Sequence, residues 1–373
     1  MTRTSHPSAP STTPSTRLPA LDALRGFDMF WLIGGELLPA ALFAWTGLPV
    51  WQVLAQQFEH SVWHGFTFYD LIFPLFIFIS GVSLGLQGSS LAGLTWAQRK
   101  PKYAHAVRRL LLLAILGVVY NYGWGSGIPA DPAIVRYASV LGRIGIAWFA
   151  AAMLLWHLRN RTVLWVTVAL LLSYSALQLQ WPLTEAGSLN ALLDQAWLPG
   201  TTYRHAPFDP EGLYSQLGAI CNCLIGALVG VLWRQEAATP SRRMGKLAGA
   251  GVTMVVVACL LHPFYPLNKS LWTGTFALLT SGTSLLLLLG FDWLIGQRKP
   301  RLTLPLYWLG QNAILAYLGT SLMAWSYCVK SLFGSWIAAS PANLQPLLLA
   351  LALLLLQLLA LRWLYQRKLF LRL

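Results

Sequence analysis

The chain has 373 residues, of which 56% are hydrophobic and only 10% charged. Soluble domains carry about 25% charged residues, so this composition excludes a string of ordinary soluble domains and points to a polytopic membrane protein. The 26 Lys and Arg against 12 Asp and Glu leave a net charge of +14, which in a soluble chain would suggest nucleic acid. In a membrane chain, basic residues orient the spans instead, and no nucleic-acid partner is expected.

Residues 1–20 are rich in Ser, Thr and Pro and contain no apolar run. They predict a disordered cytoplasmic tail and not a signal peptide; residues 21–373 then form one transmembrane domain. Ten apolar segments, each about 20 residues long, are expected near 22–44, 67–87, 106–123, 138–156, 162–180, 213–233, 247–263, 272–296, 303–325 and 345–365. The predicted fold class is therefore all-α, a polytopic transmembrane helical bundle.

The loops between these segments give a separate test of the count. The tail carries Arg3 and Arg17, and the second loop Arg99, Lys100, Lys102, Arg108 and Arg109. Arg159 and Arg161 fall in the fourth loop, and Arg234, Arg242, Arg243 and Lys246 in the sixth. Arg298, Lys299 and Arg301 lie in the eighth, and Arg362, Arg367, Lys368 and Arg372 at the C-terminus. The odd-numbered loops hold only Arg136, Arg204, Lys269 and Lys330. This alternation, 20 basic residues against four, predicts both termini on the cytoplasmic side and the odd loops facing outward. Cys221, Cys223, Cys259 and Cys328 fall in or beside apolar segments and read as buried small apolar residues, with no metal site.

Charges within a bilayer are costly and face a cavity or a partner, so each is a functional candidate. The first segment holds Asp22, Arg25, Asp28 and Glu36. The first three share one helix face, as an ion-paired structural cluster or as part of a site. His60, Trp63, His64 and Asp70 lie just before and within the start of the second segment, which contains Pro74. A histidine at this depth is either a polar belt residue or a proton acceptor whose ring a nearby Glu59 or Glu36 could orient.

Further candidates occur in the outward loops. Asp209 and Glu211 precede the sixth segment, as helix N-capping acids or as site residues. Asn268, Lys269 and Trp272 form a cluster suited to a polar ligand on an aromatic platform. Arg143 lies inside the fourth segment without an obvious local partner, and Gln311 and Asn312, in the ninth, are amides expected to bond other helices. No Walker, dinucleotide, HExxH or G-x-S-x-G motif occurs. These residues alone leave open a transporter or an enzyme using a cytoplasmic donor for an outside acceptor.

The motifs discriminate further. LDALRGFDMFWLIGGE, FEHSVWHGFTFYDLIFPLFIFISG, RYASVLGRIGIAWF, FDPEGLYSQLGAI, PLNKSLW and LGQNAILAY occur in this order over roughly residues 18–325. Together they closely resemble the heparan-alpha-glucosaminide N-acetyltransferase family and its bacterial transmembrane members. The resemblance implies transfer of acetyl from cytoplasmic acetyl-CoA to a terminal glucosamine amine across the membrane. It places the integral membrane protein in a bacterial inner membrane, suggests a homodimer, and implies no metal. The family's H-x-x-W-x-G-x-x-x-x-D-L pattern puts the catalytic histidine on His60, with Trp63, Gly65, Asp70 and Leu71 matching. Glu36 stands where the lysosomal member has an asparagine, the motif arginine falls on Arg143, and the motif acids fall on Asp209 and Glu211. No counterpart of that member's large lumenal domain is expected before the first segment.

An amino sugar must lose a proton before it attacks a thioester. His60 is the expected general base, oriented by Glu36 or Asp70, with an acetyl-histidine intermediate as the alternative. Arg25, Arg108 and Arg109, with Arg143, are the expected partners of the CoA phosphates. Trp63 and Trp272 are expected to stack on the sugar, with Asp209, Glu211, Asn268 and Lys269 binding it. The competing reading is a proton-coupled sugar transporter with Asp28, Glu36 and His60 as a relay. The absence of an internal repeat argues against common transporter folds.

Overall fold

The computed structural model describes residues 18–88, 90–125, 131–297 and 304–371. Most of the expected tail, with Arg3 and Arg17, lies outside the described residues, as do Arg298, Lys299, Arg301 and Arg372. The described chain is helical, with only an isolated bridge between Arg136 and Gly200. Its helices are α1 Pro19–Phe30, α2 Leu37–Thr46, α3 Pro49–Gln57, α4 Phe68–Gln87, α5 Trp96–Tyr122, α6 Val140–His157, α7 Asn160–Gln178 and α8 Leu189–Trp197. They continue with α9 Gln216–Gln235, α10 Pro240–Leu261, α11 Gly274–Gln297, α12 Leu304–Gln311, α13 Ala313–Leu322, α14 Trp325–Ala338 and α15 Gln345–Gln366.

Eight of these described helices, α4 to α7, α9 to α11 and α15, are long and apolar enough to cross a membrane. α1 and α2 make a ninth crossing if taken as one span bent by 52°. The bend follows Gly34, whose φ of +131° suits only glycine, within a single π-helical turn, Trp31–Gly35. The ninth expected segment, 303–325, is instead two short helices that break at Asn312. Its amide is buried and makes no hydrogen bond, contrary to the interhelical role expected for it. Short helices α3, α8 and α14 fall in loops where hydropathy gave no signal.

The spans form inner and outer layers. In α4, 78% of the span is buried within the protein, whereas in α5, α7 and α10 only 17% is. The outer three present leucine, valine and tryptophan to the surroundings, as lipid-facing helices do. Cys259 is exposed on α10 and Cys328 half-exposed, so only Cys221 and Cys223 have the burial expected of all four.

Lipid is as apolar as leucine, so helices associate in it by close fit and not by hydrophobic drive. The central pair shows this. A Cβ on Gly81 or Gly85 of α4 would fall 2.0 Å from the carbonyl oxygens of Cys223 and Ala227. On α9, Gly226 and Gly230 stand as close to the carbonyls of Phe78 and Val82. Each pair is four residues apart, so both lie on one face and the two backbones touch.

α4 starts in a capping box, Thr67 with Asp70, and α6 starts with the Ser139 hydroxyl accepting from the Gly142 N–H. Both starts lie at the end of the bundle where the first, third, fifth and seventh loops meet. The Gly65 N–H donates to the Leu267 carbonyl at 2.9 Å, and the Trp63 indole N–H to the Leu183 carbonyl at 2.9 Å. The even loops meet at the other end, where the Leu91 N–H donates to the Trp156 carbonyl.

Gly85→Leu should force α4 and α9 apart and cost at least about 1–3 kcal/mol, seen as a lower thermal midpoint in detergent. Gly249→Leu on α10, where an added Cβ meets nothing within 4 Å, should leave that midpoint unchanged.

Candidate active site

The first turn of α4 builds the site. Asp70 is the third residue of that helix, and its Oδ2 accepts from the Thr67 N–H at 3.2 Å, the Thr67 hydroxyl at 3.1 Å and the Ser61 N–H at 3.2 Å. Oδ1 is left for the His60 ring, whose Nδ1 lies 2.9 Å away. An ionised carboxylate can only accept, so Nδ1 carries the proton and Nε2 is left as the acceptor. Tyr69 packs against the imidazole with ring centroids 4.9 Å apart. Asp70 is fully buried, while the His60 side chain is 55% exposed.

Lys269 enters from the seventh loop. Its Nζ lies 3.4 Å from Asp70 Oδ1, and 3.0 and 3.2 Å from Nδ1 and Nε2 of His60. Burial pulls its pKa below the ordinary lysine value, against the opposing pull of Asp70 and Glu211. The turn that presents Lys269 is fixed by the buried Asn268. Its Oδ1 accepts from the Leu271 N–H at 2.7 Å, and its Nδ2 donates to the Trp63 carbonyl at 2.9 Å.

A second charged group closes the other side. Arg136 donates twice to Asp209, at 2.7 Å from Nε and from Nη2, and also pairs with Glu211. Asp209 further accepts the N–H groups of Tyr203 and Glu211, each at 2.9 Å. It thereby locks the fifth loop and does not cap α9, whose N-cap is Ser215.

Between the two groups lies a cavity of about 400 Å³. His60, Lys269, Arg136 and Glu211 line it, with Tyr69, Phe73, Phe76, Tyr120, Tyr203 and Tyr317 as aromatic walls. Asp28 also lines it; this carboxylate is wholly buried and neither oxygen has a hydrogen-bond partner. The expected trio on α1 is thus divided. Asp22 pairs with Arg25 at 3.1 Å, and Asp28 stands apart from them in the cavity.

Several expected site residues lie elsewhere. Trp272 is 1% exposed; its indole donates to Asn222 Oδ1 at 2.8 Å and packs under the Arg143 guanidinium. It is a core residue with no face for a sugar. Arg143, also 1% exposed, donates to the Pro210 carbonyl and the Ser215 hydroxyl and does not line the cavity, so it is not placed for CoA. Trp63 and Asn268 clip loops together at their inner faces. Glu36 sits in the break between α1 and α2, bonds neither His60 nor the cavity lining, and leaves Asp70 as the orienting acid. His64 points its Nδ1 to Asn268 at 3.4 Å.

Arg25 bonds Ser83, and Arg109 donates to Ser80 at 3.4 Å beneath the Trp148 ring. Arg108 is exposed, and none of these three lines the cavity. Sequence reasoning missed Arg136 and the tyrosines. Arg136 had one usable signal, as one of four basic residues in the odd loops.

The fold and this site define an integral membrane protein of all-helical build, carrying a carboxylate-held histidine in a cavity at one end of the bundle. No family model matches the chain. It is similar to the heparan-alpha-glucosaminide N-acetyltransferase of Mus musculus, with 24% identity over 365 residues, 82% of this chain and 54% of that protein. It is likewise similar to the Homo sapiens protein of the same name, with 23% identity over 361 residues, 81% of this chain and 52% of that protein. The chain spans about half the length of the curated relatives it matches.

Arg136→Ala should leave Asp209 buried without its cation, which costs about 3–5 kcal/mol. A thermal melt of the variant in detergent should show that loss, whereas exposed Arg204→Ala should melt as the parent does.

Proposed function

We propose that this protein is a membrane N-acetyltransferase that moves acetyl from cytoplasmic acetyl-CoA to the amine of glucosamine or a glucosamine-terminated sugar on the opposite side. Residues 21–373 act as one transmembrane acyltransferase unit, in an orientation that puts the basic even loops in the cytoplasm of a bacterial inner membrane. One observation carries the reading. His60 has its Nδ1 held by the buried Asp70, so that Nε2 is a base beside a sugar-sized cavity with polar and aromatic walls.

The chemistry follows from that geometry. The acceptor amine arrives mostly as ammonium and gives a proton to Nε2 of His60. The freed amine attacks the thioester carbonyl, the departing thiolate takes the amine's second proton, and the imidazolium gives the first up to water. Asp70 stabilises the imidazolium without itself taking the proton. Glu211 and Arg136 can hold sugar hydroxyls, and Tyr120 and Tyr317, stacked with centroids 4.1 Å apart, offer a ring face.

The donor's phosphates need cations at the other end. Arg25, Arg108 and Arg109 lie toward that end. A second cavity of about 630 Å³ is lined by Arg99, Arg159 and Arg234 with no acidic residue, which also suits phosphate. A transporter relay through Asp28, Glu36 and His60 is less well supported, because Glu36 lies off the cavity that the other two share.

The test is purified protein with labelled acetyl-CoA and a panel of amino sugars. N-acetylated sugar is the expected product, and His60→Ala should lose about 10²–10⁴-fold in kcat with an unchanged melt. Normal turnover by that variant would remove His60 from the chemistry. Sugar uptake into proteoliposomes without any acetyl donor would instead support transport.

A further inference from the structure

We infer that Lys269 is itself an acetyl acceptor, so that the protein acetylates its own cavity when a donor is present and an amino sugar is not. The inference rests on the acetyltransferase reading, and its geometry is independent of the sugar. Lys269 Nζ is a primary amine, the same nucleophile class as the proposed acceptor. It lies 3.2 Å from Nε2 of His60 and 3.4 Å from Asp70 Oδ1, within the cavity both groups serve. It occupies the place that an incoming ammonium needs in order to reach the base.

The residue does not reach this place by a chance swing of a long side chain. Asn268 fixes the turn from within, and the Thr273 hydroxyl donates to the Pro266 carbonyl at 3.0 Å across the same turn. The Leu267 carbonyl is tied to Gly65 of the first loop. The backbone on each side of Lys269 is thus held while its side chain extends to His60. Partial burial disfavours the ammonium, which raises the share of neutral, nucleophilic amine.

The step balances without an added oxidant or reductant. In its neutral form, after the ammonium has lost a proton to water, Nζ gives one proton to Nε2 of His60 and forms a C–N bond to the acetyl carbonyl carbon. The C–S bond of the thioester breaks, and the thiolate leaves with the proton returned by His60. The products are an acetyl-lysine amide and a free thiol. The amide carries no charge and fills the acceptor's position, so turnover of sugar should fall as modification rises. Bound amino sugar displaces the Lys269 ammonium and protects it, which makes the reaction a record of donor excess.

The experiment incubates the full chain in detergent with labelled acetyl-CoA, alone and with excess glucosamine, and locates label by peptide mass spectrometry. A parallel arm uses S-acetylcysteamine, a small thioester that needs no nucleotide recognition. The expected result is one acetyl at Lys269, stable to neutral hydroxylamine, suppressed by glucosamine, absent in Lys269→Arg and slowed about 100-fold in His60→Ala. Hydroxylamine-labile label on His60 with none on Lys269 overturns the inference in favour of an acetyl-histidine. Acetylated glucosamine beside unlabelled Lys269 overturns it while leaving the proposed function standing. Label at Lys269 from the small thioester alone supports it while counting against acetyl-CoA as donor. No label and no acetylated sugar with either thioester overturns both, and label spread equally to Lys330 or retained in His60→Ala shows unassisted chemistry and overturns the inference.

Discussion

The arrangement of the site depends on the Asp70 carboxylate. Burying a charged carboxylate is costly unless donors and cations surround it, and Asp70 gathers them from three parts of the chain. Thr67 comes from its own helix start, Ser61 and His60 from the first loop, and Lys269 from the seventh. Its role as cap of α4 and its role as partner of His60 are therefore one interaction. The helix start fixes the carboxylate, and the carboxylate fixes the tautomer and direction of the imidazole. Any ligand that reaches Nε2 is positioned, through Asp70, against the axis of α4.

That helix is in turn the most deeply buried span among the described residues. α4 lies against α9 with backbone touching backbone at Gly81, Gly85, Gly226 and Gly230. Close approach maximises dispersion contact where lipid supplies no hydrophobic drive. A base held to a fraction of an ångström needs a support of this kind. The other walls differ: α1 and α13 border the cavity next to helix breaks, at Gly34 and at Asn312. The cavity thus has a fixed side that carries His60 and Asp70, and a side built of interrupted helices that carries Asp28.

The helical class, most spans and the grouping of loops were legible in the sequence because hydropathy and basic residues report the environment directly. The interrupted ninth segment was not, since its composition is that of a span and only the backbone at Asn312 departs from helix. Within the site, His60 could be named but its orienting acid only as Glu36 or Asp70, because ten residues across a loop carry no periodicity that would single out Asp70. Trp272 and Arg143 misled for one reason. Each has the chemistry of a ligand-binding residue, and each uses it on the other inside the core, with guanidinium and ring 4.7 Å apart. Arg136 was passed over because an isolated loop arginine has no pattern, although its partners, Asp209 and Glu211, were already in view.

Charge placement also separates the two ends of the protein by chemistry. At the odd-loop end each cation around the cavity is matched: Arg136 by Asp209 and Glu211, Lys269 by Asp70. A matched site has little net pull on an anion and suits a polar, hydroxyl-rich ligand. At the even-loop end, Arg99, Arg159 and Arg234 line their cavity with no acid, so an anion is favoured there. A reaction that joins a phosphate-bearing donor to an amino sugar needs this asymmetry, and it also needs a link between the ends. Ser83 with Arg25 and Ser80 with Arg109 lie along α4, one helical turn apart, on the way from the basic end toward Asp28. The same helix that holds His60 through Asp70 therefore also presents polar groups past which an extended donor arm would run in the proposed reaction.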